Sequence, residues 1–161
     1  MEKIELKPIG VVHSPFVERK GTARQAVGTM DLTATIELYP EYVEGLKDLD
    51  GFSHIVVLFY LHLMNQTQLT ACPPWDDSPR GVFSTCSPYR PNHIGVSVVK
   101  LEGIECNILR IRGVDMVEGS PVLDIKPYIP DLYPVEGVRA GWIEGKTDGM
   151  TKSRTGDRPL T

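Results

Sequence analysis

The chain has 161 residues, 41% apolar and 24% charged, the balance of a single globular domain able to bury a core of its own. Its longest apolar run, Ile55–Leu61, falls far short of the ~20 residues a membrane-spanning helix needs. MEKIELKPIG also alternates charged and apolar residues where a secretory leader carries a continuous apolar stretch. Seventeen basic against twenty-one acidic side chains give a net charge of −4, which excludes a uniformly basic nucleic-acid coat while allowing a local patch.

The first predicted strand runs from Ile4 to His13, with Ile4, Leu6, Ile9 and Val11 alternating around a bend at Pro8. Ser14-Pro15 reads as a turn. Val17 to Thr29 is a polar, glycine-rich connection with Arg24 and Gln25 near its middle, and connections this long are often functional. Leu32, Ala34, Ile36 and Leu38 alternate with Thr33, Thr35 and Glu37, the pattern of a second strand. Pro40 to Asp50 reads as one short helix ended by Gly51. Ser53–His62 is β-branched and aromatic, which predicts a strand buried on both faces.

Met64 to Gly81 contains three prolines in ACPPWDDSPRG, so it reads as irregular connection. Val96–Leu101, Cys106–Ile111 and Val122–Lys126 supply further strands, with Gly103, Gly113 and Gly119 between them. Asp115 and Asp124 are expected to flank a hairpin turned at Glu118-Gly119. The absence of β–helix–β periods argues against a doubly wound sheet. The prediction is a mainly β, compact single-domain barrel with long decorating loops and one short helix. Residues 1–136 form the barrel domain; 137–161 are a short C-terminal extension, polar and partly flexible.

The charge is unevenly spread. Residues 1–136 hold 12 basic and 18 acidic groups, net −6, and residues 137–161 hold 5 and 3, net +2. A polyanion would therefore meet the tail and a few core arginines. Cys72, Cys86 and Cys106 are too few and too widely spaced for a disulfide framework or a zinc knuckle, which predicts a reducing, cytoplasmic setting. His54 and His62 lie eight residues apart on one predicted strand, roughly 26 Å at ~3.3 Å per residue, too far to share an ion. No metal site is expected, and no phosphate loop, GxGxxG or GxSxG motif is present.

The densest chemistry lies in GVFSTCSPYRPNHIGVSVV, Gly81 to Val99. Pro91 holds Arg90 away from helical geometry, and Asn92 favours a turn. An arginine so constrained loses little entropy on meeting a carboxylate or phosphate; equally, it can serve a proline-rich structural crossover. Cys86 is either an activated thiol or a small buried one. Trp75 either stacks on a base or ties down its loop. Lys126 suits a salt bridge as well as a substrate contact.

Several long segments in fixed order then carry a resemblance: IGVVHSP at 9–15, ARQ at 23–25, GLKDLDGFSHIVVLFYLH at 45–62, SPYRPNHIG at 87–95 and DMVEGSPVLDIKPYIP at 115–130. Together they resemble the TsaA-like, or TrmO-like, family of S-adenosyl-L-methionine-dependent methyltransferases. The resemblance implies a β-barrel working as a homodimer, and N6-methylation of N6-threonylcarbamoyladenosine at position 37 of tRNA. It implies a cofactor pocket built from Arg24, Gln25, His62, Leu63, Cys86, Val96, Arg112, Gly113, Val114 and Asp115, with Arg90 and Asn92 shaping its wall. Asp124 and Lys126 are the candidates for the substrate side. In this chain Cys86 stands where the family commonly has arginine, and Leu63 where it often has glutamine. A small-molecule methyl acceptor, or cofactor binding without turnover, are the alternative functions.

Overall fold

A computed structural model describes residues 3–18, 29–73, 76–132 and 136–148. Eight strands are present: β1 (Gly10–His13), β2 (Thr33–Leu38), β3 (His54–Tyr60), β4 (Thr70–Ala71), β5 (Arg80–Gly81), β6 (Ile94–Glu105), β7 (Ile108–Arg112) and β8 (Pro121–Pro127). Six of them close into an antiparallel barrel in the order β1-β2-β7-β6-β3-β8, while β4 and β5 form a separate ribbon. The seam is short, with Gly10 opposite Val122 and Val11 opposite Pro121. On the other edge of β1, β2 approaches Gly10 so closely that a β-carbon there would collide with the Glu37 carbonyl.

Alternation places the core. Val12, Ala34, Ile36, Leu38, Ile55, Val57, Phe59, Val99, Leu101, Leu109, Ile111 and Val122 point inward from the six strands. Phe59 lies opposite Gly95, and only a residue without a side chain leaves room for its ring. The register slips between Leu58 and Phe59 against β8 and between Leu101 and Gly103 against β7, local irregularities of the kind that help curve a closing sheet.

Several sequence expectations are corrected. The first strand begins at Gly10, not Ile4, whose side chain is largely exposed. Cys106 is in the β6–β7 turn with a positive φ of 53°, and Gly103 lies within β6. The predicted short helix is borne out, in 3-10 form, as Pro40–Leu46 and Leu49–Gly51. β3 alternates between buried and half-buried residues, so only its inner face is fully covered. The prolines of the 64–81 connection do not prevent β4 and β5 from pairing. Trp75 and most of the 17–29 connection lie outside the described residues.

The largest correction concerns residues 113–120. β7 pairs with β2 and β6, whereas β8 pairs with β1 and β3, so Asp115 and Asp124 do not flank a hairpin. The segment instead crosses one end of the barrel, carrying fully buried Val114 and Met116 into the core. Backbone bonds hold it from β1 and the chain that follows: Gly119 N–H donates to the Val12 carbonyl at 2.9 Å, and Glu118 N–H to that of Phe16 at 2.7 Å. At the opposite end the 3-10 turns pack Leu46 and Leu49 against the core.

Candidate functional site

The antiparallel order gathers three connections at one end of the barrel. There the chain leaves β1, β3 and β7 and re-enters β2, β6 and β8. The connections are 14–32, 61–93 and 113–120, and they contain most of the predicted site residues. Arg24 and Gln25, in the first, lie outside the described residues.

His62 follows β3 in a tight turn, its N–H donating to the Tyr60 carbonyl at 2.9 Å. Its half-buried ring stands beside the crossing segment, since a β-carbon at Gly119 would sit 3.9 Å from Nε2. Leu63, the next residue, is about half exposed, 49%. Val96 projects outward near the start of β6 and is 61% exposed. Ser97, the following residue, faces inward and is buried.

Ser97 Oγ donates to Asp115 Oδ1 at 2.5 Å. Asp115 is thereby held, half-buried, where the crossing segment meets the inner wall of β6. Gly113 N–H donates to the Leu32 carbonyl at 2.9 Å, fixing the start of the same segment, and Val114 anchors it in the core. The Arg112 guanidinium turns outward to Glu102, at 2.5 Å through Nε. That contact raises the arginine's affinity for its proton and holds the Glu102 carboxyl below its usual range.

Arg90 is engaged by backbone carbonyls. Its Nη1 donates to the carbonyls of Thr85 at 2.7 Å, Val82 at 3.3 Å and Ser87 at 3.5 Å. The guanidinium thus closes an arch over residues 82–87, in which Cys86 is exposed. Asn92 is exposed in the turn that leads to β6, between Pro91 and the positive-φ residue His93.

Asp124 and Lys126 sit on the outer face of β8, joined by an ion pair of 2.7 Å. Asp124 also accepts from the Ile125 N–H at 2.9 Å. Leu58 pairs with both Val96 and Asp124, so the three form one outward row; two strand spacings separate the outer members by about 10 Å. Lys126 belongs to the next row, with Val56 and Val98. These two residues therefore border the rim from the outer wall and do not enter the barrel end.

Sequence reasoning missed Ser97 and the His13–Glu118 pair. Ser97 left a signal, a hydroxyl in phase with inward-facing Val99 and Leu101. His13 bridges two acids, with Nδ1 at 2.9 Å from Glu118 Oε1 and Nε2 at 3.1 Å from Glu37 Oε2. Glu118 also accepts from the Ser14 N–H at 2.6 Å, and Ser14 Oγ donates to the Met116 carbonyl at 2.7 Å. The bonds to Glu118 and then Glu37 raise the His13 pKa above its ordinary 6.5. The His13 bond foremost, with help from Ser14, lowers that of Glu118. No local sequence pattern announces a contact across 105 residues. Among the described residues, no cluster of three or more His, Cys, Asp or Glu side chains is arranged to hold a metal ion, and no helix is long and apolar enough to cross a membrane.

The fold and this rim define a class: a closed six-stranded antiparallel barrel with a polar site assembled at one end from distant loops. Residues 11–132 match the tRNA-methyltransferase O N-terminal domain, and the chain belongs to that TrmO/TsaA-like family. It is 45% identical over 152 residues to the "Probable S-adenosyl-L-methionine-binding protein" of Pyrococcus abyssi, covering 94% of this chain and 83% of that one. It is 42% identical over 127 residues to an S-adenosyl-L-methionine-binding protein of Archaeoglobus fulgidus, covering 79% and 91%. The crystal structure of TrmO from Pseudomonas aeruginosa superposes with a TM-score of 0.72 at 37% identity, covering 88% of this chain and 63% of that one. This chain thus spans under two thirds of the TrmO chain it resembles.

The residues present suit S-adenosyl-L-methionine. Asp115, fixed by Ser97, offers a carboxylate to hydroxyl or ammonium donors. Exposed Leu63, just after β3, and Val96, near the start of β6, offer apolar surface for a purine face.

Proposed function

We propose that the protein is an S-adenosyl-L-methionine-dependent methyltransferase whose acceptor is N6-threonylcarbamoyladenosine at position 37 of tRNA. The observation that carries this reading is the half-buried Asp115, held by Ser97 on the segment that crosses this end of the barrel, in a chain of this family. When bound, the cofactor supplies a methyl group on an electrophilic sulfonium. Asp115 accepts from its ribose hydroxyls or α-ammonium, and Leu63 and Val96 flank its base. Arg90 acts through the arch it closes, and Arg24 and Gln25 complete the pocket from the β1–β2 connection. Holding an acceptor amine in line with the methyl group supplies most of the rate, because orientation alone is worth several kcal/mol, about 7–11 in well-aligned systems. Asp124 and Lys126 meet the acceptor from the outer wall.

The test is incubation of pure protein and cofactor with tRNA that carries, or lacks, the threonylcarbamoyl group. A methylated nucleoside only from the modified tRNA is the expected result; none from either removes this acceptor. A small-molecule acceptor is favoured by a specific observation, the commitment of Arg90 and Arg112 to carbonyls and to Glu102 rather than to the rim. Methylation of small amines without salt-sensitive tRNA binding would select it. Stoichiometric cofactor binding with no turnover on either class would select the non-catalytic reading suggested by the names of the archaeal relatives.

The same proposal includes a cytoplasmic homodimer. The three cysteines form no disulfide. On the outer face of β3 and β6, Val56, Leu58 and Val98 make an apolar strip suited to a self-complementary two-fold contact. Sedimentation is expected to give a dimer, and Val98→Glu a monomer.

A further inference from the structure

The family match ends at residue 132, yet the chain beyond it returns to the rim. Trp142 lies in a 3-10 turn, Gly141–Ile143, and its Nε1–H donates to the Ser84 carbonyl at 2.9 Å, 58 residues away. Arg80 stacks over the Trp142 ring, 5.0 Å from its centroid. Arg80 also grips Asp76 through Nε at 2.8 Å and Nη2 at 2.7 Å. Lys146, four residues past Trp142, reaches the other oxygen of the same carboxylate at 3.2 Å. Asp76 is nearly covered by these two cations, and the Arg80 hydrogen bonds above all hold its carboxyl below the ordinary range.

The arch is therefore fastened twice. Arg90 holds the carbonyls of Val82, Thr85 and Ser87 from within. Trp142 holds that of Ser84, at the crown, from outside. Ser84 Oγ in turn donates to the Gly81 carbonyl at 2.8 Å. Among the described residues 136–148, Val138 is exposed and only Trp142 and Ile143 are half-buried, so they add little to the core. Its contacts are directional and fall on residues 76–84.

We infer that Trp142, with the segment 136–148, is a positioning strap for the cofactor site, setting the arch that presents Cys86 and the residues leading to Arg90. This rests on the reading of that rim as a cofactor site. Trp142 acts through the arch.

The test uses the full chain and two variants, Trp142→Ala and Trp142→Phe; the second keeps a ring over Arg80 and removes only the N–H donor. Hydrogen exchange by peptide is followed over residues 80–90 and over β3 and β7, alongside calorimetric titration with S-adenosyl-L-methionine. Trp142→Ala is expected to speed exchange in the arch about tenfold, leave β3 and β7 protected, and weaken cofactor binding about five- to tenfold, with Trp142→Phe between. Unchanged exchange at 80–90 in both variants overturns the strap. Faster exchange with unchanged affinity overturns its role in cofactor positioning. If Trp142→Ala loses protection throughout the barrel, Trp142→Phe decides by the same two readouts. A wild-type chain that binds no cofactor sinks the proposed function, and exchange at 80–90 still judges the strap separately.

Discussion

The two ends of the barrel are built on opposite terms. One is closed by short means: the Cys106-Asn107 turn, and 3-10 turns that press Leu46 and Leu49 onto the core. The other is closed by a single strand-like crossing whose buried side chains, Val114 and Met116, come from the same eight-residue stretch as Asp115 and Glu118. The polar side chains that are buried among the described residues, Thr29, Ser97 and Ser120, all belong to this second end. Burying a polar group is costly unless it finds a partner. Ser97 finds its partner in the Asp115 carboxylate. An end that packs and an end that positions are thus made from the same fold, and the difference lies in the side chains their connections carry.

The comparison is broken most severely at the plug. Met116→Ala should cost about 2–5 kcal/mol in denaturant unfolding, because a fully buried side chain leaves a cavity in the barrel mouth. Leu46→Ala, half-buried at the other end, should cost about 1–2 kcal/mol. A larger loss at Leu46 would reverse the assignment of the more demanding closure.

Asp115 sharpens the contrast on the ligand side. Asp115→Asn keeps the shape and removes the charge. Calorimetry should show cofactor binding about tenfold weaker, with a thermal midpoint little changed. Ser97→Ala should lower both affinity and midpoint, since the carboxylate then loses the hydroxyl that orients it. Equal affinity in both variants would take this pair out of the site.

The His13 bridge ties the positioning end to β1 and β2 and gives it a pH signature. The folded His13 pKa is raised, so its contribution is fully present below 6.5 and disappears as pH rises through the higher folded value. The folded Glu118 pKa is lowered, so its contribution is present above 4.5 and is lost as pH falls through the lower folded value. Thermal midpoints should therefore peak between these limits and decline on the alkaline side. His13→Gln should flatten that alkaline decline. An unchanged profile in the variant would dismiss the bridge.

The smallest effect is expected at Arg112. Its ion pair with Glu102 is partly exposed and salt-screened, so Arg112→Ala should leave the melt nearly unchanged. Cofactor affinity should also hold, because the guanidinium is committed to Glu102. A marked loss of affinity would return the Arg112 side chain to the pocket.

Much of the barrel was legible because strand alternation is local. Ala34, Ile36 and Leu38 reveal their face to anyone who counts by two, and the structure buries all three. The rim was legible only as a set of motifs. Arg90 was recognisable as constrained, but not that its fork would spend itself on three carbonyls, since carbonyl positions depend on how residues 82–87 fold. The hairpin expected around Glu118-Gly119 failed for a related reason. A turn between two apolar runs looks the same whether its flanks pair with each other or with β1, β2, β3 and β6.

By itself, then, the sequence determined the β character, the inward faces and the family motifs, all of which rest on side-chain chemistry within a few residues. The tertiary structure alone decided that 113–120 plugs the barrel, that Ser97 meets Asp115, that His13 meets Glu118, and that Trp142 returns to Ser84. The reason is physical. Each of these contacts is created by closure of the barrel and the docking of its loops, and closure depends on which strands pair across long separations, a property of the whole chain that no local period records.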